Sequence, residues 1–159
     1  MTIENLSGTM LVEFDVRGTP VAQPRARHAR IGNSIRSYYP AKHPIGAWKN
    51  MAILSIQEAL GNAKQKSIGD IPILVIAEFV FPRPKASKIV EKITKPDIDN
   101  LGKALMDAIT ASGFWRDDGL VSQTILSKRN TRDGEMPHTK VGIYALTPTI
   151  VSRGKGRHS

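Results

Sequence analysis

Two carboxylates stand two residues apart in Lys95-Pro96-Asp97-Ile98-Asp99-Asn100-Leu101-Gly102-Lys103, and two more follow in Arg116-Asp117-Asp118-Gly119. Pro96 biases Lys95 toward extended backbone. In such backbone, residues i and i+2 point to the same side, so Asp97 and Asp99 are placed to act together. Hard cations such as Mg2+ take oxygen ligands, commonly one or two carboxylates completed by water and substrate phosphate. Phosphodiester hydrolysis needs an activated water and stabilised charge, and one or two such ions supply both. Lys103 lies one helical turn after Asp99 and shares its face. There it could hold a carboxylate, contact the phosphate or steady the leaving oxygen. Ordinary structural roles compete with this reading. Asp97 or Asp99 could cap a helix, and Asp117-Asp118-Gly119 could be a turn. Lys103 could form a helix-surface pair worth ~0.3–0.5 kcal/mol. Several mutually repelling acids in a basic chain bring the metal reading level with these. Convergence of Asp117 or Asp118 on the first pair depends on the fold.

Elements that must position these acids are legible from periodicity. Leu11, Phe14 and Val16 lie in a short apolar-rich run closed by Gly18-Thr19-Pro20, which predicts a strand. The next stretch, residues 21–40, carries Pro24, Gly32 and Asn33 and reads as irregular, with a short extended piece at Tyr38 and Tyr39. Ile45, Trp48, Ala52, Ile56, Ala59 and Leu60 recur at helical spacing, predicting a helix over 44–60 ended by Gly61-Asn62. Ile73–Phe81 is an apolar run broken only by Glu78, as in a strand covered on both faces. Residues 99–112 predict the second helix, with Leu101, Leu105, Ala108 and Ile109 as its stripe and Gly113 as its left-handed stop. Strands follow over 121–128 and 140–146, and Thr131–Gly134 reads as the turn of a hairpin joining them. Trp48, Trp115, Met51 and Met106 are assigned to packing. The four histidines are scattered without ligand spacing.

Charge points to the partner. The 159 residues hold 23 Lys+Arg against 14 Asp+Glu, a formal net charge of +9. Such an excess favours polyanions, because each phosphate contact releases condensed counterions. With no cysteine, disulfides and thiolate metal sites are excluded. No signal-peptide pattern or membrane-length apolar run is evident, so a soluble, cytoplasmic protein is expected. Arg25, Arg27, His28, Arg30 and Arg36 crowd the irregular stretch with few acids nearby, a pattern suited to tracking phosphates, with Tyr38 and Tyr39 placed to stack on exposed bases. Lys85, Lys88, Lys92 and Lys95 form a second basic set before the acids; guidance of the DNA backbone and simple solvation are nearly balanced there.

The stretch KPDIDNLGKALMDAITASGFWRDDGLV, residues 95–121, resembles the RusA family of Holliday junction resolvases. It has the Asp-x-Asp-Asn-Leu-x-Lys helix start, the later Asp-Ala, the Gly-Phe/Trp segment and the Asp-Asp pair, in order and at matching spacing. A weaker likeness runs from Gly18-Thr19-Pro20-Val21 through the arginines to Tyr38-Tyr39. The resemblance implies an α/β (α+β) domain over residues 11–146, a small mixed sheet with two main helices packed on it; outside it, the polar start (1–10) reads as a loose extension and the basic end (147–159) as a disordered tail. It implies that Asp97, Asp99 and Asp118 are the catalytic, metal-binding acids, with Lys103 the catalytic lysine and Asp117 an assisting ligand. It further implies Mg2+, with Mn2+ as a substitute, no small-molecule cofactor, a homodimer, and paired symmetric nicks across a four-way DNA junction. Rival expectations are a non-catalytic branched-DNA-binding module, a nuclease preferring forked or flap DNA, and a phage packaging or scaffold protein.

Overall fold

The computed structural model describes residues 8–24, 27–38, 43–61 and 68–153. Its order is β1 (Gly8–Arg17), β2 (Arg27–Ile31), β3 (Ser34–Tyr38), α1 (Ile45–Leu60), β4 (Ile73–Phe81), α2 (Ile98–Ala111), a short 3-10 turn (Asp118–Leu120), β5 (Val121–Asn130) and β6 (His138–Leu146). Four strands form one mixed sheet in the order β1-β6-β4-β5, with β4 and β5 parallel and the other pairs antiparallel. A parallel pair cannot be joined by a tight turn, and α2 lies on the crossover between β4 and β5. The fold is therefore the expected α+β arrangement of a mixed sheet and two helices.

Alternation decides which side is covered. Val12, Phe14 and Val16 of β1, Val141 and Ile143 of β6, and Ile73, Val75, Ala77, Phe79 and Phe81 of β4 share one core. Onto it pack Trp48, Ala52 and Ile56 of α1 and Leu101, Ala104, Leu105, Ala108 and Ile109 of α2. Both helix stripes thus meet the sheet as their spacing predicts. Gly102 lets α2 approach closely: a Cβ there would lie 2.6 Å from Cδ1 of Leu126. Gly113, at φ +80°, follows the end of α2 as expected. Trp115 is buried and its indole N–H donates to Thr110 Oγ1 at 2.7 Å, closing the turn after the helix.

Several expectations are corrected. β6 does not pair with β5: β4 lies between them, and residues 131–137 carry the chain across that strand's end. β4 is apolar on both faces, so it takes the central place that a local hairpin would have denied it. The irregular stretch contains a separate two-stranded hairpin, β2–β3, turning at Gly32 (φ +61°) and Asn33. Its turn chemistry was visible, but its strands lack apolar alternation. β1 starts at Gly8, within the extension expected to be loose. Met51 is exposed rather than packed. Ala59 is exposed as well. Residues 147–153 are exposed, and the tail from 154 lies outside the described residues.

At the far end of the sheet, Arg129 ties three segments. Its Nε lies 3.1 Å from Glu78 Oε1, and its two terminal nitrogens meet the Glu135 carboxylate at 2.5 and 2.7 Å. Glu135 also accepts from the Arg132 backbone N–H. The Arg129 hydrogen bond, followed by the Arg132 N–H, draws the Glu135 pKa from 4.5 to about 2.

Candidate active site

Asp97 is the N-cap residue of α2, in extended backbone, and its carbonyl accepts the first helical bond from Leu101 N–H at 3.2 Å. Its carboxylate makes no capping hydrogen bond. Instead Lys95 Nζ donates to both of its oxygens, at 2.7 and 2.8 Å. Capping therefore does not explain this acid. Asp99 sits in the first turn, exposed, where the helix dipole favours negative charge. Lys103 is one turn further along and exposed, with no ion pair to Asp99. Two acids and a cation thus gather at the open N-terminal end of α2.

Asp117 and Asp118 lie beyond the other end of that helix. Asp117 accepts from the Gly119 N–H at 3.1 Å, so the turn role anticipated for it holds. Asp118 opens the 3-10 turn and is exposed. Between the two sets runs α2, 14 residues long, about 21 Å of helix. Among the described residues no three His, Asp or Glu side chains assemble to hold a metal ion. Within one chain, then, Asp118 does not join Asp97 and Asp99.

The loop carrying Asp97 is fastened from a distance. Lys128, on β5, donates from Nζ to the carbonyls of Thr94 and Pro96, both at 2.8 Å. Alongside it, Glu91 bridges Arg129, and Asn130 N–H donates to Val90 O at 2.7 Å. Residues 90–96 therefore run along the exposed edge of β5, covering an edge that would otherwise be open to pairing. Lys92 stands 4.8 Å over the Phe81 ring, and burial together with nearby Lys128 lowers its pKa. Nothing local in the sequence marks Lys128 as the clamp, since its partners lie 32 and 34 residues away.

On the other side, residues 19–24 lie against the start of α2, and Gln23 N–H donates to Asn100 O at 3.0 Å. Of the basic set, Lys85, Lys88 and Lys95 are exposed, Lys85 and Lys88 in the loop after β4 and Lys95 beside Asp97. Arg30 is exposed on β2. Arg27 pairs in register with Tyr38, and Arg36 with Ala29, in the β2–β3 hairpin. Arg25 and Tyr39 lie outside the described residues.

A model of the family described as Endodeoxyribonuclease RusA matches residues 17–144. A stretch of 53 residues is 47% identical to the crossover junction endodeoxyribonuclease RusA of Escherichia coli O139:H28, and 45% identical to those of Escherichia coli K12 and Shigella sonnei. It covers 33% of this chain and 38% of each relative, so the matched stretch spans well under half of their length.

Proposed function

The chain belongs to the RusA endodeoxyribonuclease family, and from that premise we propose that it is a homodimeric, Mg2+-dependent endonuclease that resolves four-way DNA junctions by paired symmetric nicks in recombination and repair. The curated relatives are named as crossover junction endodeoxyribonucleases. The observation that carries the reading is the pair of acids, Asp97 and Asp99, at the start of α2. Asp97 occupies a capping position without capping, beside Asp99 and Lys103, at the edge of a basic loop.

Two carboxylates two residues apart fit a hard divalent ion, which commonly takes one or two from protein and the rest from water and phosphate. Asp97 and Asp99 would hold it, with Asp118 as a third. When bound, the ion supplies an activated water and polarises the phosphate. Lys95 holds the Asp97 carboxylate in the apoprotein, keeping its charge compensated. Lys103, exposed one turn after Asp99, would offset negative charge developing on the phosphate oxygens. Lys85, Lys88 and Arg30 are free to meet backbone phosphates.

The separation of Asp118 from the pair supports a dimer. Two copies related by a two-fold axis can set the Asp118 end of one beside the Asp97 end of the other, building two equal sites. Two strands of equal polarity cross a junction, so two such sites match the substrate. Cytoplasmic placement, where such DNA is found, belongs to the same proposal.

The test is a synthetic mobile four-way junction incubated with and without Mg2+, with nicks mapped on all four strands beside forked and linear duplex controls. Symmetric nicks on opposed strands are expected only with the ion and only on the four-way substrate. Asp97→Asn is expected to lose cutting by at least about a thousandfold while retaining junction binding. Full cutting by that variant refutes the assignment, and binding without cutting by the wild type favours a non-catalytic module.

A further inference from the structure

Two large apolar side chains stand exposed in the loop that leads to Asp97, Ile93 at 81% and Ile89 at 45%. We propose that Ile93 is a wedge: it enters the branch point of the DNA, takes the place of a missing stacking neighbour against a base, and so selects branched over continuous duplex. This rests on the nuclease reading and names the side chain that recognises the branch.

The backbone decides where that side chain points. Over residues 89–93 exposure alternates, with Ile89, Glu91 and Ile93 exposed and Val90 and Lys92 half-buried, the period of an extended segment. Val90 O accepts from Asn130 N–H at 2.7 Å, and Ile89 O accepts from Asn130 Nδ2 at 3.3 Å. Lys92 Nζ lies over the Phe81 ring and donates to Thr94 Oγ1 at 3.0 Å. Beyond Ile93, Lys128 holds the Thr94 and Pro96 carbonyls. Ile93 is therefore bracketed by fastened backbone while its own side chain stays in solvent. A β-branched side chain has few rotamers to lose, and a held loop has little order to gain, so insertion costs little entropy.

Isolated apolar residues at a surface are ordinary. Position and charge set this one apart. Ile89 and Ile93, with Pro84 and Ala86, line a groove of about 320 Å³. Residues 83–95 carry five cations, Arg83, Lys85, Lys88, Lys92 and Lys95, against one acid, Glu91. That charge complements a polyanion and opposes a second copy of a chain whose own net charge is +9. Lysines meet phosphates, and an apolar tip among them meets what lies between phosphate backbones, the base stack. Proteins that kink DNA insert isoleucine and similar side chains between base steps. Continuous duplex must be unstacked to admit such a wedge. A branch point has pairs that already lack a neighbour, so entry there costs least. Ile93 precedes Asp97 by four residues, a span of at most ~14 Å, which places the base it meets within about four nucleotides of the phosphate being cut.

The experiment uses full-length protein with Asp97→Asn in the background, so that the DNA stays intact, and compares Ile93→Ser and Ile93→Leu on a four-way junction and on linear duplex of equal length. Ile93→Ser is expected to weaken junction binding by about tenfold and duplex binding by less than about twofold, with the melting temperature unchanged. Ile93→Leu is expected to restore junction binding. 2-Aminopurine is then placed at each position near the branch point in turn. It is expected to brighten on binding at one position when residue 93 is isoleucine or leucine, and to stay dim with Ile93→Ser. Equal losses on junction and duplex, brightening that survives Ile93→Ser, or no brightening at any position overturns the proposal. So does dissociation of the dimer by Ile93→Ser, which would make the patch a protein interface. Failure of the protein with Asp97 intact to cut any DNA, with the Ile93-dependent brightening kept, removes the nuclease reading and leaves the wedge. Normal cutting without any dependence on Ile93 removes the wedge alone.

Discussion

Replacing Lys128 with methionine is the sharpest probe of how the fold serves the acids. The ammonium donates two hydrogen bonds of 2.8 Å to the carbonyls of Thr94 and Pro96. Hydrogen bonds from a charged donor are each worth ~1.5–3 kcal/mol when sheltered. Lys128 is only half-buried, so water replaces part of that, and a net loss of ~1–3 kcal/mol is expected. For a chain of this size that lowers the unfolding midpoint by roughly 3–10 °C. The functional cost is larger, because the freed loop carries Asp97. A displacement of about 1 Å in a positioned group can cost ~100-fold in rate. Lys128→Met is therefore expected to cut a four-way junction ~10- to 100-fold more slowly at saturating Mg2+. Binding measured with Asp97→Asn in the background should change little, and its slope against salt concentration should stay the same. A lysine acting on a phosphate would reduce that slope by about one. Lys128→Arg keeps two donors for the two carbonyls and should recover most of the rate. Cutting by Lys128→Met within about twofold of wild type, with an unchanged melting point, would refute the clamp.

Other outcomes follow from the same geometry. If each site takes Asp118 from one copy and Asp97 from the other, mixing inactive Asp97→Asn and Asp118→Asn proteins restores one working site per mixed dimer. Gel mapping should then show single-strand nicks, and complete silence of the mixture after subunit exchange would point to sites built within one chain. The Glu135 carboxylate, drawn from 4.5 to about 2 by Arg129, contributes stability that is present above pH 4.5 and is lost as pH falls through 2. The gap in melting point between wild type and Glu135→Gln should be constant above about pH 5, then close between 4.5 and 2; a gap persisting at pH 2 would contradict it.

The local chemistry of this protein can be read along the chain. Helical spacing located α1 and α2 to within a residue or so, because an amphipathic stripe is set by nearest neighbours on one cylinder. The apolar run of β4 announced a strand covered on both faces, and Gly113 announced the stop of α2. The motif from Lys95 to Val121 carried the family likeness and its acids. Partner choice was not legible. Turn residues at 131–134 suggested that β5 and β6 pair, yet β4 lies between them, since burying a two-faced strand outweighs the convenience of a short connection. The role of Asp97 was also undecided by spacing, because a capping aspartate and a ligand aspartate occupy the same position before α2. Only the tertiary structure shows its carboxylate turned to Lys95 and its loop pinned by Lys128 from the next strand. Helix length, likewise, separates Asp118 from its expected partners inside one chain. Periodicity records which face of an element meets the core; which elements meet one another is decided by long-range packing, and no local pattern carries it.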